Sequence, residues 1–121
     1  MSVSHFTDLI AWQKSHEFVK NVYKITADFP PEEKFGLTNQ LRRAASSITA
    51  NIAEGYGRYH MKDKARFYYM AKGSNTECQN HLILAHDLEY LSDNDFNSLK
   101  ISVFEAYKVL CGLIRSTKSF S

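Results

Sequence analysis

The stretch Leu37–Arg58, LTNQLRRAASSITANIAEGYGR, sets Leu41, Ala45, Ile48 and Ile52 at steps of four, three and four. That spacing predicts a helix over about residues 37–54 with those four side chains in the core. A second row, Gln40, Ala44, Ser47, Asn51 and Glu54, shares another face of the same helix. It is polar and small, with Arg43 at its edge. Gly55 and Gly57 follow and are expected to end the helix in left-handed conformations.

On either side the pattern stays helical. Leu9, Trp12, Val19, Val22, Tyr23 and Thr26 form a stripe over residues 8–28, closed by Phe29-Pro30-Pro31, since proline disfavours helical geometry in the residue before it. Glu32 and Glu33 suit the start of a short turn, which Gly36 breaks. Past the glycines, Phe67, Met70, Ala71, Ser74, Cys78, His81, Ala85 and Leu88 predict a helix over residues 63–90. Gly73 inside it points to a close helix contact. Ser92-Asp93-Asn94-Asp95 resembles a capping box ahead of a last helix bearing Phe96, Leu99, Val103, Tyr107, Leu110 and Ile114. No strand alternation or hairpin turn appears. Four helices joined by short loops predict an all-α, antiparallel up-down-up-down four-helix bundle, and 121 residues fit a single domain.

Bulk properties exclude several classes. The formal net charge is +2, too small to imply a nucleic-acid partner alone. Cys78 and Cys111 stand apart within helical patterns and read as buried thiols in a reducing compartment. The start has no basic segment followed by an apolar run, so no signal peptide is expected. No apolar stretch reaches the length of a membrane span. The expected location is the cytoplasm.

Motifs carry little chemistry. Gly55-Tyr56-Gly57 lacks the preceding strand and the Lys-Ser/Thr of a phosphate loop. Cys78 and His81 lie three residues apart, but no second pair completes a four-ligand zinc site, and HExxH and paired ExxH motifs are missing. No metal, cofactor or catalytic residue is expected. The polar row, with Ser74, Glu77 and His81 on the next helix, reads first as a packed structural network of Gln40, Arg43, Ser47, Asn51, Glu54 and Glu77 in which Arg43 pairs with Glu77. The sharper reading is a cleft in which Glu54, Glu77 and His81 act on a substrate.

Charge is unevenly distributed. Arg42, Arg43, Arg58, Lys62, Lys64, Arg66 and Lys72 oppose only Glu54 and Asp63 between residues 42 and 72, a balance of +5. Between residues 77 and 105, Glu77, Asp87, Glu89, Asp93, Asp95 and Glu105 oppose only Lys100, a balance of −5. Those seven cations, interleaved with Tyr56, Tyr59, Tyr68 and Tyr69, suit phosphate contacts and base stacking. A solvated face, or complementary patches between identical subunits, explains them equally.

Three stretches together, FTDLIAWQKSHEF, FPPEEKFGLTNQLRRAASSITANIAEGYGR and ARFYYMAKGSNTECQNHL, resemble the bundle proteins encoded in intervening sequences of bacterial 23S rRNA genes. The resemblance covers most of the chain. It implies a left-handed four-helix bundle in a ring-shaped homo-oligomer, a pentamer, without enzymatic activity. Gln40, Arg43, Ser47, Asn51, Glu54, Gly55 and Glu77 match the family's motif positions. Related accessory proteins of diversity-generating retroelements bind nucleic acid and a reverse transcriptase. The resulting expectation is a nucleic-acid-binding homo-oligomer, with RNA favoured. A protein–protein scaffold is the alternative.

Overall fold

The computed structural model describes residues 3–119. Its long helices are α1 (Ile10–Thr26), α2 (Leu37–Tyr56), α3 (Met61–Asp87) and α4 (Asp93–Lys118), with short 3-10 turns at Phe6–Asp8 and Pro31–Glu33. Among the described residues there is no strand. Each helix packs on the next, and α4 closes back on α1. Contacts run in opposite senses along neighbouring helices: Ser47 meets Ser74 and Gly55 meets Tyr68, while Asn75 meets Val103 and Tyr69 meets Lys118. The bundle is therefore antiparallel, as the short loops require.

The core confirms the stripe of α2, where Leu41, Ala45, Ile48 and Ile52 are all fully buried. It corrects two others. In α1 Phe18 is fully buried while Tyr23 is exposed, and Leu9, Trp12 and Val19 only flank the core. In α3 Tyr68, Asn75 and Leu82 point inward, whereas Met70 and Leu88 lie outside. Asn75 is tolerated in the core because its amide donates to the Val103 carbonyl (3.1 Å) and accepts from Gln79 (2.8 Å). In α4 Leu99, Val103, Leu110 and Ile114 are buried, and Ser92 caps the helix by accepting from the Asp95 amide at 3.1 Å.

The glycines behave differently from expectation. Neither Gly55 nor Gly57 has a positive φ; Gly55 is helical and Gly57 lies at −77°. Among the described residues the left-handed one is Glu89 (φ 64°), where the amides of Glu89 and Tyr90 close onto the carbonyls of His86 and Ala85 beyond the end of α3. Gly73 makes no close helix contact, since a Cβ built there meets nothing within 4 Å. Gly73→Ala is therefore expected to raise stability by about 1 kcal/mol through helix propensity, roughly 4 °C in Tm. Calorimetry across protein concentrations checks this; a fall instead would place another chain against that surface.

Candidate nucleic-acid interface

The antiparallel topology gathers the end of α2, the start of α3 and the end of α4 at one end of the bundle. Arg58, just past α2, stacks its guanidinium over Phe67 (4.6 Å) and lies 3.7 Å from the Glu54 carboxylate. Arg66 lies over the same ring at 4.8 Å. On α3, Lys62, Arg66 and Tyr69 follow at steps of four and three and so share a face. That face turns toward α4, where Lys118 donates to the Tyr69 hydroxyl at 3.1 Å. Together with Met61, Ala65 and Met70 these residues line an open concavity of about 640 Å³. Lys72 sits further along α3, between the rings of Tyr69 (5.9 Å) and Tyr107 (5.7 Å).

Other cations of the sequence cluster go elsewhere. Lys64 donates to the Tyr56 carbonyl and lies over the Tyr56 ring, closing the end of α2. Burial there lowers its pKa. Arg42 reaches the opposite neighbour: Nε donates to Thr26 Oγ1 (2.8 Å), Nη2 to the Tyr23 carbonyl (3.2 Å), and the guanidinium covers Tyr23. Arg43 lies fifteen residues before Arg58, about 22 Å along the helix axis. The seven cations are thus one cluster in sequence and several in space. Of the tyrosines, Tyr59 is exposed, Tyr69 is nearly half exposed, and Tyr68 is buried and unable to stack on a base.

Lys118 and Arg115, in the last turn of α4, were invisible to a reading of residues 42–72. The return of α4 beside α3 brings Lys118 in, while the Arg115 guanidinium lies back beside Gly112. At the other end stand Asp28, Glu32 and Glu33 near the start of α2, and Asp87, Glu89, Asp93 and Asp95 around the α3–α4 loop. The charge asymmetry of the sequence becomes a polarity of the molecule, basic at one end and acidic at the other. Such a field steers a polyanion to the basic end.

The expected polar network is present only in pieces. Ser47 and Ser74 hydroxyls meet at 2.9 Å, and the Asn51 amide donates to the Ser47 carbonyl (2.9 Å) and hydroxyl (3.1 Å). Arg43 and Glu77 are not paired: both line a polar recess with Gln40 and Ser47, while Glu77 instead meets His81 at 3.2 Å. Glu54 turns to Arg58. By the antiparallel register Glu54 stands near Tyr68, some thirteen residues from His81, about 20 Å along the axis. Glu54 and His81 therefore do not share a cleft. Among the described residues no group of three or more His, Cys, Asp or Glu side chains could hold a metal ion, and no helix is long and apolar enough to cross a membrane.

The fold and this end-on charge distribution define a four-helix bundle with one basic pole. The chain belongs to the 23S rRNA-intervening sequence protein family, whose pattern matches residues 7–112. A crystal structure of a protein of unknown function from the S23 ribosomal protein family of Bacteroides thetaiotaomicron is similar over 87% of this chain and 98% of its own, with 25% identity and a TM-score of 0.78. No curated protein matches the chain.

Proposed function

We propose that this chain is a non-enzymatic nucleic-acid-binding protein, with RNA as its favoured ligand, working in the cytoplasm as a homo-oligomer of five subunits. The observation that carries the reading is the basic pole, where Arg58, Lys62 and Arg66 are exposed on the start of α3 and the turn before it. Phe67 holds two of these guanidiniums in place, so little side-chain freedom is lost when a phosphate arrives. Lys72 extends the surface along α3. Lys64 supports it by closing the end of α2, Arg42 is held against α1 near the other end, and Arg43 contributes a separate contact further up. The family's descriptive name refers to a 23S rRNA intervening sequence, which favours RNA over DNA. Repetition of the pole around an oligomer makes modest contacts multivalent.

Reversing Arg58, Lys62 and Arg66 together to Glu is expected to weaken RNA binding by more than 100-fold and to flatten the salt dependence of log K by about 2 to 3. Anisotropy titrations across a salt series, with circular dichroism to confirm the fold, read both. Unchanged affinity in a folded variant would overturn the proposal. A second reading, a protein–protein scaffold, draws on the exposed Ile83, Ile101 and Phe104 on α3 and α4. It predicts purified protein free of nucleic acid by absorbance ratio.

A further inference from the structure

Resting on that reading, we infer that the concavity between the start of α3 and the end of α4 is a seat for an unpaired nucleotide, with its base on an apolar floor and its phosphates on a cationic rim. The concavity is lined by apolar and cationic side chains together. Its lining is mainly apolar, with Met61, Met70 and the Tyr69 ring all accessible. Lys62, Arg66 and Lys118 stand around it, and Lys118 is held by the Tyr69 hydroxyl. A purely electrostatic surface for a duplex needs cations only, because a duplex turns its phosphates outward and keeps its bases stacked inside. Exposed thioethers and a phenol beside three cations fit something with a flat apolar face joined to an anion. An unpaired nucleotide in a single strand, loop or bulge has that chemistry. At about 640 Å³ the concavity is large enough for a base and its sugar. Because it is open, it reads no particular base; sequence tolerance is the expected behaviour of a stacking platform.

The test compares three probes by fluorescence anisotropy at one salt concentration: a twelve-nucleotide single-stranded RNA, the same strand with its central bases removed, and its duplex. The intact strand is expected to bind roughly tenfold tighter than the abasic one and tighter than the duplex. Tyr69→Ala is expected to abolish the difference between intact and abasic strands while leaving the salt slope unchanged, and Tyr69→Phe to preserve it. Equal affinity for intact and abasic strands, or preference for the duplex, would overturn the inference and leave the basic pole as a charge-only surface. Failure of all three probes to bind at low salt would overturn the proposed function as well. A change in sedimentation of Tyr69→Ala would show the concavity to be a subunit contact and equally rule out the nucleotide seat.

Discussion

Raising the pH from 9 to 12 is expected to destabilise this protein steeply, because two core groups resist ionisation. Burial pushes the Cys78 thiol up from 9.0 to about 12, with the Glu77 charge beside it adding to the effect. Burial likewise raises the Tyr68 phenol from 10.0 to about 12, helped by Tyr56. Between those values the unfolded chain releases both protons while the folded one keeps them. Stability therefore falls as pH rises through the window and is fully retained below about pH 9. At about 1.4 kcal/mol per unit, the two groups together contribute a loss of roughly 7 kcal/mol by pH 12, comparable to the whole stability of a small domain. Urea midpoints at pH 7.5, 9.5 and 11 should drop steeply in the wild type and less steeply in Tyr68→Phe and Cys78→Ala. A midpoint independent of pH to 11 would mean that these groups are not buried as the fold places them. The same burial predicts that a thiol reagent labels the half-buried Cys111 in the native state and leaves Cys78 untouched.

Why some of this was legible in sequence and some was not follows from particular residues. In α2 the apolar stripe is narrow and its flanks are polar, so periodicity alone places Ile48 and Ile52 inside. In α3 the signal is blurred. Phe67-Tyr68-Tyr69-Met70 offers four apolar residues in a row, Leu84 and Leu88 stay outside, and Asn75 and His81 go in. Asn75 enters because the α4 carbonyl it bonds, that of Val103, lies 28 residues away in sequence, a partner no local pattern reveals. The basic cluster suffers a similar fate. Residues 42 and 43 are neighbours in sequence yet serve different helix pairs, and Lys118 joins Lys62 only through the return of α4. Antiparallel topology explains both: charge proximity along one helix turns into separation along its axis, and chain ends become neighbours.

Gly55 shows how a residue read for its backbone can matter for its lack of a side chain. Replacing it with Leu is expected to cost about 3 kcal/mol through overpacking. A Cβ there would stand 2.8 Å from Tyr68 Cε1 and 3.0 Å from Phe67 Cβ. Tyr68 is only 2% exposed, so its ring has nowhere to go without disturbing the core. Phe67 in turn carries Arg58 and Arg66 on its ring. A shift there loosens the basic pole, so Gly55→Leu should lose RNA affinity as well as stability. Gly55→Ala should fall less, because a gain of about 1 kcal/mol in helix propensity offsets part of the clash. Combining Gly55→Ala with Tyr68→Leu separates packing from backbone: relief of the clash predicts a double variant more stable than the sum of the two single losses. Strict additivity would instead mean that Gly55 does not pack against Tyr68, and the close approach of α2 and α3 that shapes this end of the bundle would have to be redrawn.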